Sequence, residues 1–124
     1  MQRNMDLVRM ILMRIESGPW GKAPHQFGIE SFPADQIGYH AHIMMQEGLI
    51  EDYLTHLESA GPEALKTNLT WKGHEFLDLA RDPERWNRAK AIIAKVRGAP
   101  ISVWMKVLTD LTLQGVDSAA SKPS

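Results

Sequence analysis

Residues 36–53, QIGYHAHIMMQEGLIEDY, place Ile37, Ala41, Met44 and Gly48 on one face of a helix. The Gly-Leu-Ile that follows turns that helix into an extended segment. The stretch therefore predicts a helix that opens after Phe32-Pro33, with Pro33 suited to the first turn, and closes at Gly48. The positions off the apolar stripe, Asp35, Gln36, Tyr39, His42 and Gln46, face outward, and none of them is a lysine or arginine.

Working outward, LIEDYLTHLE and ALKTNLTW pair as a β-hairpin across the turn residues Ser59 to Glu63, with its tip near Gly61-Pro62. Thr70 can cap the next helix, whose buried side is expected from Trp71, Phe76, Leu77 and Ala80. Upstream, Asn4 is a favourable N-cap, and Met5, Val8, Ile11, Leu12 and Ile15 recur at helical spacing until Gly18-Pro19. This predicts a first helix over roughly residues 4–17. Between the two helices, Phe27 and Ile29 alternate with Gln26, Gly28 and Glu30 as a short edge strand would.

Two further helices follow. Asp82-Pro83-Glu84 combines an N-cap, a proline at the first helical position and an acid near the positive end of the helix dipole. Trp86, Ala89, Ile93 and Val96 supply the apolar side, and Gly98 is expected to end the run. After Pro100, Trp104, Val107, Leu108 and Leu111 form one apolar strip, with Ile101, Met105 and Leu113 as a second, so this helix is expected to be buried on two sides. VDSAASKPS, from Val116, shows no periodicity and is expected to fray. The organisation expected is a single domain over residues 1–115 with a disordered tail over 116–124.

Local spacing resembles that of bacterial winged-helix repressors. They often show an apolar residue, a histidine three residues on, and Gly-Leu-Ile or Gly-Leu-Val closing the recognition helix into the first wing strand. Ile37, His40, Met44 and Gly48-Leu49-Ile50 occupy those places, and LTWKG, Leu69 to Gly73, resembles the Leu-Thr-x-x-Gly in which their wing returns. Over nearly the whole chain, MQRNMDLVRMIL, IGYHAHIMMQEGLIE and LTWKGHEFLDLARDPERWNRAK resemble the bacterial and phage-borne family known as domain of unknown function 2513. The resemblance implies a mainly helical α+β fold: a winged-helix-like domain (helix, short strand, helix, β-hairpin wing, helix) with two additional C-terminal helices. It implies no activity, substrate or catalytic residue. One departure matters: residues 18–32 hold three glycines and two prolines, leaving little room for the helix that crosses the DNA backbone in a helix-turn-helix.

Composition narrows the function classes. The chain has 124 residues, 44% apolar and 23% charged, in the range of a globular domain. Absence of cysteine excludes disulfide scaffolds, thiolate zinc sites and cysteine nucleophiles. No apolar run is long enough for a signal peptide or membrane span, so a cytoplasmic protein is expected. Phosphate-binding glycine loops, the nucleophile elbow and H-E-x-x-H are all missing, so neither catalytic residues nor a cofactor are expected. His40 and His42 point roughly 200° apart on a helix, and His25, His56 and His74 lie on separate elements. No metal site is expected, and His40 is expected to pack and hydrogen-bond under the hairpin.

Charge is unevenly spread. Between Lys22 and Lys66 there is no Lys or Arg, while Glu30, Asp35, Glu47, Glu51, Asp52, Glu58 and Glu63 supply seven acids, in a segment that includes the candidate reading helix and the wing tip. From Arg81 to Lys106 seven basic residues meet only Asp82 and Glu84, a net of +5. If nucleic acid is bound, Gln36 could pair with adenine and Tyr39 or His42 could reach phosphate or sugar. Lys66, Lys72, Arg85 and Arg88 would supply cations. The competing account of all these residues is an ordinary solvated surface. Trp71, Trp86 and Trp104 are expected as core anchors and Trp20 as an interface residue. Two functions are compatible with this pattern: a DNA-binding, transcription-regulator-like protein, or a protein-interaction module that self-associates through Ile101, Trp104, Met105 and Leu108 of the last helix.

Overall fold

The computed structural model describes residues 1–18, 27–54, 65–96 and 98–121. Asn4 opens α1 (Met5–Ser17), its side-chain oxygen accepting the N–H groups of Asp6 and Leu7 at 3.0 and 3.3 Å. That satisfies two of the donors a helix start leaves unpaired. α1 buries Leu7, Val8, Ile11, Leu12 and Ile15, while Met5 sits half-buried at the edge of this stripe.

α2 spans Ala34–Glu47, with Pro33 at the N-cap. It ends at Gly48, whose φ of 82° is the left-handed conformation that glycine reaches without Cβ strain. The N–H groups of Gly48 and Leu49 turn back to the carbonyls of Met45 and Met44 at 3.1 and 2.9 Å, closing the last turn. β1 (Ile50–Leu54) and β2 (Leu65–Leu69) form an antiparallel pair in register from Ile50 opposite Leu69 to Leu54 opposite Leu65. The hairpin tip expected at Gly61-Pro62 lies outside the described residues. β2 leads through Thr70 into α3 (Trp71–Ala80).

Asp82 caps α4 (Pro83–Ile93) by accepting the N–H of Arg85 at 3.0 Å, with Pro83 at the start of the helix. α5 runs from Ile101 to Ser121 and so continues helically past Val116, where the sequence suggests fraying. Among the described residues the architecture is five helices and one two-stranded sheet, a mainly helical α+β fold. No helix among them is long and apolar enough to cross a membrane.

The chain divides into two compact units, Met1–Leu77 and Asp78–Ser124. In the first, α1 packs on α2 and β2, and α2 packs on β1. Its core joins the α1 stripe to Phe27, Ile37, Ala41, Met44, Leu49, Ile50, Phe76 and Leu77. In the second, α4 packs on α5. Trp86 stacks on Trp104 there, with ring centroids 4.9 Å apart and planes inclined 27°, amid buried Ala89, Ile93, Leu108 and Leu111.

Four expectations are corrected. Residues 27–30 form no strand, because Gly28 adopts φ 68°, off the extended conformation; Phe27 and Ile29 are buried from a loop instead. Val96 is 54% exposed because α4 ends at Ile93, before Gly98, which takes φ 64° in the connection. Leu113 is 56% exposed, so α5 buries one strip, Trp104, Leu108 and Leu111, and not two. Trp71 is 81% exposed and is no core anchor.

Candidate functional site

The two short motifs, Gly48-Leu49-Ile50 and Leu69-Thr70-x-x-Gly73, meet as halves of one joint. The Thr70 hydroxyl donates to the carbonyl of Gly48 and accepts the N–H of Gly73 at 3.0 Å. The Thr70 backbone N–H donates to the Leu49 carbonyl at 3.1 Å. A Cβ on Gly73 would lie 1.9 Å from that same carbonyl oxygen, so glycine is what lets α3 press onto the exit of α2. Lys72 Nζ adds contacts of 3.2 Å to the Glu47 carbonyl and 3.0 Å to its carboxylate, a cation at the negative end of α2.

Packing on α1 and β1 covers one side of α2. Ile37, His40, Ala41 and Met44 face inward. His40 is fully buried: Nε2 accepts the backbone N–H of Asn4 at 2.8 Å, and Nδ1 lies 2.8 Å from the Gln36 carbonyl. An acceptor at Nε2 assigns the proton to Nδ1, so the ring is satisfied at both nitrogens. The expected packing role of His40 holds, and its partner across the core is α1's N-cap residue. Asp35, Tyr39, His42 and Gln46 lie outward at i, i+4, i+7 and i+11. Tyr39 is 38% exposed, and the Gln46 amide lies 3.3 Å from His42 Nε2. Gln36 is half-buried.

A second exposed stripe runs along α3, where Trp71, Glu75 and Asp78 recur at i, i+4 and i+7. The Trp71 Nε1–H donates to Glu75 Oε1 at 2.6 Å, which holds the indole in place while its faces stay open to solvent. The sequence does contain the signal for this. At about 100° per residue Trp71 lies roughly 140° from Phe76 and 180° from Ala80, nearly opposite the buried side.

The candidate cations are differently engaged. Lys72 is paired with Glu47. Lys66 lies on β2 opposite Tyr53, with its side chain outside the described residues. Arg85 is half-buried, and a guanidinium nitrogen lies 3.4 Å from the Leu79 carbonyl near the end of α3. Arg88 is exposed on α4. Gln36, Tyr39, His42, Lys66 and Lys72 belong to the first unit, and Arg85 and Arg88 to the second. The first unit holds six basic residues against ten acidic, a net of −4, and the second eight against five, a net of +3.

Of the four residues expected to mediate self-association, Trp104 and Leu108 are buried within the chain itself, 8% and 0% exposed, and Trp104 is covered by Trp86. Ile101 and Met105 are half-buried. Only these two of the four thus keep part of their surface open. Among the described residues no group of three or more His, Asp or Glu is placed to hold a metal ion.

Comparison with known proteins gives two matches. The family described as "Hypothetical protein (DUF2513)" matches residues 2–100. A protein of Haemophilus influenzae described as uncharacterized is 35% identical over 96 residues, covering 75% of this chain and 79% of that protein. No solved structure matches.

Proposed function

This chain belongs to the DUF2513 family, and on that premise we propose that it is a non-catalytic binding module that recognises a protein through the outward face of α2 and Trp71. Its plan is winged-helix-like, with α2 in the place of the reading helix and β1-β2 in the place of the wing. The observation that carries the protein reading is the chemistry of these two exposed stripes. Tyr39, His42, Gln46 and an 81% exposed indole stand where a DNA reader needs cations, and Lys72 at their border is already paired. Duplex DNA is a dense line of phosphates whose affinity for proteins comes mainly from their neutralisation. A unit of net −4 opposes that approach. Exposed aromatics are instead the residues that dominate protein interfaces.

DNA binding in the manner of a regulator is the second reading, favoured by winged-helix resemblance and by the net +3 of the second unit with Arg88 exposed on α4. Fold resemblance alone is a weak warrant for function. A photo-crosslinking amino acid at position 42, in cells, separates the two. Protein adducts, absent when the probe sits at exposed Glu84, are expected. Nucleic-acid adducts at position 42, or a steep salt-dependent affinity for random duplex DNA, would overturn the protein reading.

A further inference from the structure

We propose that one protein recognised through Trp71 is a second copy of the chain, with the α3 stripe of one copy docking on the α4 stripe of the other. The inference rests on the protein-binding reading above and names its partner. On α4, Trp86, Ala89 and Ile93 face inward. Arg88 and Ile92, at i and i+4, share an outer flank of the helix; Arg88 is exposed and Ile92 is 48% exposed. Lys95 and Val96 continue this basic and apolar pairing just past the helix end, Val96 at 54% exposure.

The α3 stripe is its chemical complement. Trp71 offers an open indole and Glu75 a carboxylate, also at i and i+4. Both pairs are spaced by about 6 Å along their helices. In an antiparallel pairing Arg88 meets Glu75 while Ile92 covers the ring of Trp71. Glu75 has spent one lone pair on the indole N–H and retains acceptors for a guanidinium. Long-range charge acts in the same sense, since a unit of −4 meets a unit of +3. The second copy is favoured as occupant because this chain itself carries the matching stripe, on an exposed helix side. The contact is head-to-tail, using different surfaces on the two copies, so assembly continues past a pair unless a ring closes.

The test is light scattering of the full chain over a concentration series. The wild-type mass is expected to rise above 14.0 kDa with concentration at low ionic strength. It should fall back in about 1 M salt, where the screening length is about 3 Å. Arg88→Glu, Glu75→Lys and Trp71→Ala are each expected to weaken association by about tenfold or more. The double variant Glu75→Lys with Arg88→Glu restores it by exchanging the charges. All positions are exposed, so unchanged thermal melts confirm that each variant folds. A mass of 14.0 kDa throughout, or association indifferent to the charge reversals, overturns the proposal. A monomeric chain that still gives protein adducts at position 42 removes only the second-copy partner. Nucleic-acid adducts there remove the reading beneath it.

Discussion

The backbone N–H of Asn4 donates to Nε2 of His40 at 2.8 Å, across 36 residues of sequence. The residue that caps α1 with its side chain is thus itself anchored by a buried imidazole of α2. Replacing His40 with Phe keeps a ring in the core but leaves the Asn4 N–H without its acceptor. A loss of about 1–3 kcal/mol in urea unfolding is expected, with faster amide exchange at Asn4. Unchanged stability and exchange would show that this bond contributes nothing.

Gly73 and Gly38 make a matched pair. A methyl on Gly73 meets the Leu49 carbonyl at 1.9 Å, and backbone cannot retreat as a flexible side chain can. Gly73→Ala is expected to cost at least about 1–3 kcal/mol. Gly38 lies exposed inside α2 with nothing within 4 Å of an added Cβ. There Ala is expected to stabilise by about 0.5–1 kcal/mol. Thermal melts of the two variants should move in opposite directions, and a shared direction contradicts the geometry.

Thr70 uses its hydroxyl twice, as donor to Gly48 and acceptor from Gly73. Thr70→Ser keeps both bonds and should shift stability by less than about 0.5 kcal/mol, while Thr70→Ala should cost about 1–2 kcal/mol. Equal losses in the two variants would assign the effect to the methyl group instead.

The tryptophans divide by burial. Trp86→Ala removes a ring stacked in the second unit's core and is expected to cost about 3–5 kcal/mol. Trp71→Ala removes an exposed ring and should stay within about 0.5 kcal/mol of wild type. A large loss from Trp71→Ala would place that ring in the core after all.

Much of this architecture was legible because it rests on local chemistry. Asn4, Gly48, Thr70 and Asp82-Pro83 announce helix ends through caps and backbone conformation, and each does so where the sequence places it. Periodicity likewise located the inward faces of α1 and α2. The differences share a cause, in that apolar residue type is a weaker guide than helical angle or element length. Grouping Trp71 with Phe76, Leu77 and Ala80 as one stripe conflicts with the helical angle, which sets it roughly 140° from Phe76. Val96 continued a stripe whose helix had already ended at Ile93. Gly28 interrupted an alternation that depended on Phe27 and Ile29 alone. The candidate site was less legible because the engagement of Lys72 by Glu47 and of Arg85 by Leu79 arises only when separate elements are brought together.

Thr70 and Gly73 fasten to Gly48 and Leu49 at the base of the hairpin, and every residue of that fastening lies outside the ten-residue connection 55–64. Reach is thereby separated from stability. Doubling the connection adds about 0.6 kcal/mol of loop entropy, whereas loosening the base disturbs α2, β1 and α3 together. Residues 55–64 can therefore change in length or charge without touching these contacts, whereas a change at Gly48, Leu49, Thr70 or Gly73 reaches α2, β1 and α3 at once.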